Sequence, residues 1–335
     1  MALPFEVLGA PGGDNALWVR ADSGRGITRL LFDAGDCLRV LGRREIQAVD
    51  GLFFSHLHLD HVAGFDHFFR HLYDRNTKVN QIFGPPGTAR IIQHRLRGFL
   101  WNLACELQGT WWVHNVFPHH LETFRFELSE AFGAAHFEGR RDHGGTLWST
   151  DHLRVEAITL DHKTPCLGYC VREAARWVVD GEALTDAGLP PGPWLARLKA
   201  PLSAAAGETV VVAGQRHSLE DLRRRLLRVV PGEAVAYTTD FRLDQATAAR
   251  LVPWLAGCAT LVCESQYACE DAHLAAQHYH LTACQAAELA RDAGVGQLVL
   301  FHLSDRYDAP RRREMLAAAR AVYHNCHYPD PSWET

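Results

Sequence analysis

The chain has 335 residues, 47% of them hydrophobic and 22% charged, with a formal net charge of −5. That length allows one large α/β domain or two ordinary ones, and the composition excludes the disordered and fibrous classes. No apolar run approaches the ~20 residues of a membrane-spanning helix, and a mildly acidic balance neither demands nor excludes a polyanionic partner.

In chain order, short apolar runs alternate with helical patterns. The opening MALPFEVLGAPGGD carries neither a basic leader nor a long apolar core, so no signal peptide is expected. Strands are predicted at 5–8, 17–20, 29–33 and 51–55, with a helix over 60–73. A strand at 81–83 leads into a helix over 88–107. Residues 98–149 are rich in Trp, Phe and His without a clear period, and are read as an inserted lid or substrate wall. Strands at 153–160 and 167–172 precede the one compositional break, 173–207, whose Asp186-Ala187-Gly188-Leu189-Pro190-Pro191-Gly192-Pro193 is too Pro/Gly-rich for a core element. The same alternation resumes beyond it, so 173–207 is read as an inserted arm of a single domain spanning 1–335. Helices follow at 219–229, 244–256, 282–293 and 310–323, with strands at 234–239, 260–264 and 297–301. Gly294 supplies a C-cap signal for the third of these helices. Nine cysteines at scattered spacings, with no CxxC pair, predict reduced thiols in a cytoplasmic protein.

Histidine stands out, at twenty residues. Ser55-His56-Leu57-His58-Leu59-Asp60-His61 closes the apolar run at 51–54 and puts three imidazoles and a carboxylate into six residues. Alternation along an extended segment places His56 and His58 on one side. Asp60 and His61 fall at the turn into a helix, from which they can point back toward the same cavity. One His/His set beside one Asp/His set suits two metal ions better than one. His162, Asp240 and His302 each follow an apolar run, where α/β sheets present their ligands. Taken singly, each could equally cap a helix or end a strand.

With these residues in view, the chain resembles metallo-β-lactamase-fold hydrolases, and among them the tRNA 3′-processing endoribonuclease family, tRNase Z. The likeness runs through LFDAGD at Asp33, SHLHLDH, FGPPG at 83–87, LDHKTPCLGY around His162 and LPPGPWLARLK in the arm. It continues through YTTDFR around Asp240, CES at 263–265, HLTA at 280–283 and FHLSDRY at 301–307. The resemblance implies an α/β architecture, the αββα sandwich of two mixed sheets flanked by helices. It implies two zinc ions, one held by His56, His58 and His162, the other by Asp60, His61 and His302, with Asp240 bridging. Such a His/Asp set also accepts manganese or iron. His280 then acts as general acid, charged and oriented by Glu264, and Asp60 as a base toward water. Ser304 and Arg306 are implied as phosphate contacts. Pro191, Gly192, Pro193, Arg197 and Lys199 of the arm are implied to grip a tRNA precursor from the partner subunit of a homodimer. Neither membrane attachment nor an organic cofactor is implied.

The chain departs from the family pattern at Leu59, where the family has Gly, and at Cys263, where it has His. It also lacks a basic balance for phosphates. A competing reading is a same-fold phosphodiesterase acting on a small or cyclic nucleotide. A diiron oxidoreductase is disfavoured by His58, and a binding protein without activity is disfavoured by the full ligand set.

Overall fold

A computed structural model describes residues 3–24, 26–199 and 207–335. It divides into two compact units, Met1–Arg172 with Glu233–Thr335, and Glu173–Gly232.

The first sheet of the larger unit runs in sequence order through β1 (Phe5–Gly9), β2 (Asn15–Asp22), β3 (Ile27–Phe32), β4 (Gly51–Phe53), β5 (Asn80–Gly84), β6 (Thr110–Val116), β7 (His120–Glu127) and β8 (His136–Asp142). From β3 to β6 the pairing is parallel; both flanks are antiparallel. Residues 98–149, the segment expected as a lid or substrate wall, supply β6, β7 and β8 of this sheet. Their alternation is hard to read because Trp112, His114 and Phe124 stand only half-buried among polar neighbours.

Both faces of this sheet are covered, so its central strands read as continuous apolar runs. Leu30, Phe32, Phe53 and Phe83 face the core shared with the second sheet. Leu31, Leu52, Phe54 and Ile82 face the opposite way, toward short helices α1 (Arg43–Gln47), α2 (Leu59–Val62), α3 (Phe65–Arg70) and α4 (Thr88–Leu96). The helix expected over 60–73 is broken into α2 and α3 at Gly64, where a Cβ would lie 2.1 Å from the Gly35 carbonyl oxygen. Only glycine permits that approach.

The second sheet uses β9 (Thr146–Ser149), β10 (Leu153–Asp161) and β11 (Pro165–Glu173) before the chain enters the smaller unit. That unit pairs β12 (Arg176–Val179) with β15 (Leu227–Val230) and β13 (Thr209–Val212) with β14 (Gln215–Ser218). It packs α5 (Gly181–Asp186), α6 (Trp194–Lys199) and α7 (Leu219–Leu226) around Trp194, Leu198, Leu222 and Leu226. The unit therefore runs on to Gly232, beyond the 173–207 segment marked by composition, because β15 returns to close on β12. Of that segment, residues 200–206 lie outside the described residues.

The second sheet resumes with β16 (Ala234–Thr238), β17 (Thr260–Glu264), β18 (Gln297–Phe301) and β19 (Cys326–His327), parallel to one another, with β16 antiparallel to β11. Helices α8 (Gln245–Leu255), α9 (Ala272–His278), α10 (Ala283–Ala293) and α11 (Ala309–Val322) follow its strands, completing an αββα sandwich. Between the sheets, Phe53 stacks on Phe83 at 4.8 Å and on Phe32 at 5.1 Å, with the Tyr169 ring edge-on at 5.6 Å. The Tyr169 hydroxyl donates to the Phe54 carbonyl at 2.7 Å, tying the second sheet to the strand that leads into SHLHLDH.

The expectation of reduced thiols throughout is overturned. Cys269 and Cys284 form a disulfide, while the other seven cysteines are free. The parallel bridge between Tyr267 and Thr282 brings the two cysteines together, a proximity that sequence spacing does not reveal. Among the described residues no helix is long and apolar enough to cross a membrane.

Candidate metal centre

Six strands end at one place. β3 delivers Asp33, β4 delivers Ser55 and His56, β10 leads to His162, β16 to Asp240, β17 ends at Glu264 and β18 leads to His302. A strand end can aim a side chain outward only if the backbone turns sharply. Asp33, Lys163, Asp240, Tyr279 and His302 all adopt positive φ, between 53° and 62°. Non-glycine residues seldom take that conformation, and its cost is met by the surrounding packing.

The structure brings together all seven residues singled out as ligands. His56, His58 and His162 form one group, and Asp60, His61, Asp240 and His302 a second; within each group the ligand atoms lie within 4.8 Å of one another. Asp240 stands between them. Its Oδ2 lies 3.7 Å from His56 Nε2 and 3.6 Å from His162 Nε2, while Oδ1 lies 3.6 Å from His61 Nε2 and 3.5 Å from His302 Nδ1. Asp60 Oδ2 lies 3.3 Å from His61 Nε2 and 3.4 Å from His302 Nε2.

These separations exceed hydrogen bonds for most pairs, and His56 Nε2, His61 Nε2 and His302 Nδ1 are buried without any partner. A buried imidazole nitrogen left unpaired is costly. Cations between these atoms and the two carboxylates would satisfy them, so the residues fit a metal centre.

The opposite ring nitrogens explain why the imidazoles aim inward. His61 Nδ1 donates to Asp33 Oδ2 at 2.8 Å, and His162 Nδ1 donates to the Tyr279 carbonyl at 2.8 Å. His56 Nδ1 donates to Ser55 Oγ at 3.1 Å, which in turn donates to Asp33 at 2.7 Å. Each bond fixes the tautomer that leaves Nε2 free for a ligand. Asp33 also accepts from the Ser55 N–H at 2.7 Å and the Tyr237 hydroxyl at 2.8 Å, so one fully buried carboxylate braces two histidines.

The charges agree. Burial alone would lower His61, yet Asp33 and Asp240 hold it well above the ordinary imidazole range. Burial pushes His56 down to about 2, helped by the neighbouring imidazoles. Burial would raise Asp240, but His302 and His61 hold it well below the usual carboxylate range. Burial would raise Asp60, but His302 and His61 hold it well below the usual carboxylate range. The carboxylates stay ionised and create a field that calls for cations.

Two sequence relationships accompany this geometry. A ribonuclease Z from Deinococcus radiodurans is 52% identical over 332 residues, which cover 99% of this chain and 98% of that one. The chain belongs to the ribonuclease Z family. Another ribonuclease Z, from Lacticaseibacillus casei, is 30% identical over 309 residues, covering 89% of this chain and 82% of that one. A model of the β-lactamase superfamily domain matches residues 28–182. Among solved structures, the short form of human tRNase Z aligns with a TM-score of 0.51 at 16% identity, covering 91% of this chain and 94% of its own. A metallo-β-lactamase fold protein from Bacillus subtilis aligns at 0.55 with 15% identity, covering 97% and 94%. These two share the fold. The chain is thus a metal-dependent endoribonuclease of the ribonuclease Z family, on the metallo-β-lactamase fold.

Glu264 is fully buried beside these ligand groups. Its Oε1 accepts the Phe241 N–H at 2.8 Å and its Oε2 accepts His280 Nδ1 at 2.8 Å. Burial would lower His280, but Glu264 raises it to about 9. Cys263, the departure beside it, is buried within β17. Leu59 opens α2 with its side chain 72% exposed.

Ser304 and Arg306 follow His302 closely, with Arg306 Nε donating to Ser304 Oγ at 3.2 Å and its guanidinium over the Tyr267 ring at 5.0 Å. Pro191, Gly192, Pro193, Arg197 and Lys199 belong to the smaller unit, outside the ligand groups. There the Trp194 indole donates to the Pro190 carbonyl at 3.0 Å, and Arg197, Lys199, Pro191 and Pro193 are exposed. Sequence reasoning missed the bracing roles of Asp33, Ser55, Tyr237 and Tyr279. Asp33 carried a usable signal, since it ends an apolar strand as Asp240 and His302 do; the Tyr279 carbonyl carried none.

Proposed function

We propose that this chain removes the 3′ trailer from tRNA precursors, leaving a 3′-hydroxyl on the tRNA, with two zinc ions as its native metals. His56, His58 and His162 would hold one ion, Asp60, His61 and His302 the other, and Asp240 both. When bound, such ions lower the pKa of water and take up charge on phosphate oxygens. The chain's own groups do the rest. Asp60 accepts a proton from the attacking water. His280 gives its Nε2 proton to the departing 3′-oxygen, an alkoxide too basic to leave unaided, while Glu264 keeps that imidazole charged and oriented. Ser304 and Arg306 contact the phosphate, where the guanidinium fork matches its oxygens.

The single observation that carries this reading is the unpartnered buried nitrogens of His56, His61 and His302 converging on Asp240, with a charged His280–Glu264 pair alongside. The relatives' shared name, ribonuclease Z, supports the substrate. The Pro191-Gly192-Pro193 arm, acting from the partner of a cytoplasmic homodimer, would hold the tRNA body through Arg197 and Lys199. The test is incubation of metal-analysed protein with a 3′-extended tRNA and mapping of the cut. Cleavage immediately 3′ of the tRNA, leaving a hydroxyl, is expected. Turnover of bis-p-nitrophenyl phosphate without any tRNA cleavage would refute it.

A further inference from the structure

Three of the loops that carry the metal centre also carry a second grouping beside it. Lys163 follows His162, Arg242 lies two residues beyond Asp240, and Tyr279 precedes His280. Their side chains meet: the Lys163 ammonium lies 5.1 Å from the Tyr279 ring centroid, and the Arg242 guanidinium 5.6 Å. Asp161 pins the two cationic loops together, its side chain accepting the Lys163 N–H at 2.9 Å and its carbonyl accepting the Arg242 N–H at 2.9 Å. The third corner is tied through the Tyr279 carbonyl, which receives His162 Nδ1 at 2.8 Å. Lys163 and Tyr279 both hold positive φ, at 59° and 61°.

This cluster is built, and its two cations are open to solvent. Asp244, two residues beyond Arg242, caps α8 by accepting the Thr247 N–H at 2.8 Å, and the Arg242 charge helps hold its carboxyl low. Two cations gathered around one aromatic ring repel each other, and a bound anion between them would relieve that repulsion. Tyrosine additionally offers a face on which a base can stack. The pairing of cations with an aromatic ring at the edge of a phosphodiester-cleaving centre suits a neighbouring nucleotide of the RNA.

We propose that Lys163, Arg242 and Tyr279 form a nucleotide subsite that binds a backbone phosphate flanking the scissile one, with its nucleoside against the Tyr279 ring. This rests on the reading of the chain as a tRNA-processing nuclease and names how that site selects RNA over small diesters. The subsite acts on binding, so it raises the efficiency of a polymeric substrate over that of a compact one.

The test uses the metal-loaded full chain with Lys163→Ala/Arg242→Ala, and separately Tyr279→Leu and Tyr279→Phe. For the double variant, the ratio of kcat/KM on a 3′-extended tRNA to that on bis-p-nitrophenyl phosphate is expected to fall about tenfold or more, chiefly through KM. The slope of log kcat/KM for tRNA against log salt should become shallower by about 1 to 2, reflecting the lost phosphate contacts. Tyr279→Leu should lower the same ratio severalfold, and Tyr279→Phe should restore it. An unchanged ratio and salt slope in the double variant would overturn the subsite, as would equal losses on both substrates, which would assign these residues to bracing His162 alone. If the parental protein turns over the small diester but never cleaves the tRNA, the functional reading falls and the subsite with it.

Discussion

Replacing Glu264 by Gln isolates the proton-donating half of the site while leaving the ligands in place. Glu264 is fully buried, and both of its oxygens are committed, one to the Phe241 N–H and one to His280 Nδ1, each at 2.8 Å. The Phe241 N–H can only donate, so in the variant the amide oxygen must stay on that side. The amide NH2 then faces His280 Nδ1. Two donors cannot share that bond, so Nδ1 gives up its proton and accepts instead. The imidazole becomes neutral, with its remaining proton on Nε2, and a neutral imidazole is a far weaker acid than the cation. General acid catalysis contributes about 10²–10⁴ in rate, or roughly 2.7–5.5 kcal/mol of barrier. Loss of most of that factor is expected on a 3′-extended tRNA, whose leaving alkoxide needs the proton. Bis-p-nitrophenyl phosphate expels a stable phenolate and should lose little. Single-turnover rates on the two substrates, at equal metal content, make the comparison. Equal losses on both would refute the assignment of His280 as proton donor, and so would a parental rate on tRNA.

Three further outcomes are expected. Asp240→Ala should abolish metal binding and hydrolysis together, because its two oxygens serve both ligand groups; retention of two metal equivalents by elemental analysis would contradict this. Asp33→Asn must turn an amide NH2 toward at least one of four donors in a fully buried position. It should cost about 3–5 kcal/mol in unfolding free energy and about 10–100-fold in metal affinity, read by denaturant titration and chelator competition. Serine at both Cys269 and Cys284 removes a cross-link spanning 15 positions. It should lower stability by about 2–3 kcal/mol in non-reducing buffer, and alkylation of both cysteines in the parental protein without reductant would show the bond to be absent.

The legible parts of this molecule were those in which local chemistry and local geometry coincide. Strands such as β4, β16 and β18 read clearly because both faces are covered and the runs are continuously apolar. HxHxDH announced itself because four ligand-type residues fall within one turn of chain. The outer strands β6 to β8 were hidden by half-buried aromatic and polar residues with no clean period, and the extent of the smaller unit was hidden because β15 finds its partner β12 some fifty positions away. A helix pattern over 60–73 gave no sign of the break at Gly64, which exists only because the Gly35 carbonyl passes so close.

By itself, the amino-acid order determined which residue types stand at the strand ends and therefore that a cationic cofactor could be held there at all. Tertiary structure alone decided that Asp33 braces His61 and, through Ser55, His56, that a backbone carbonyl of Tyr279 steers His162, and that Lys163, Arg242 and Tyr279 meet. The physical reason is range. Side-chain chemistry and period are written in adjacent positions, whereas hydrogen bonds between residues as far apart as Asp33 and Tyr237 exist only once two sheets have packed face to face.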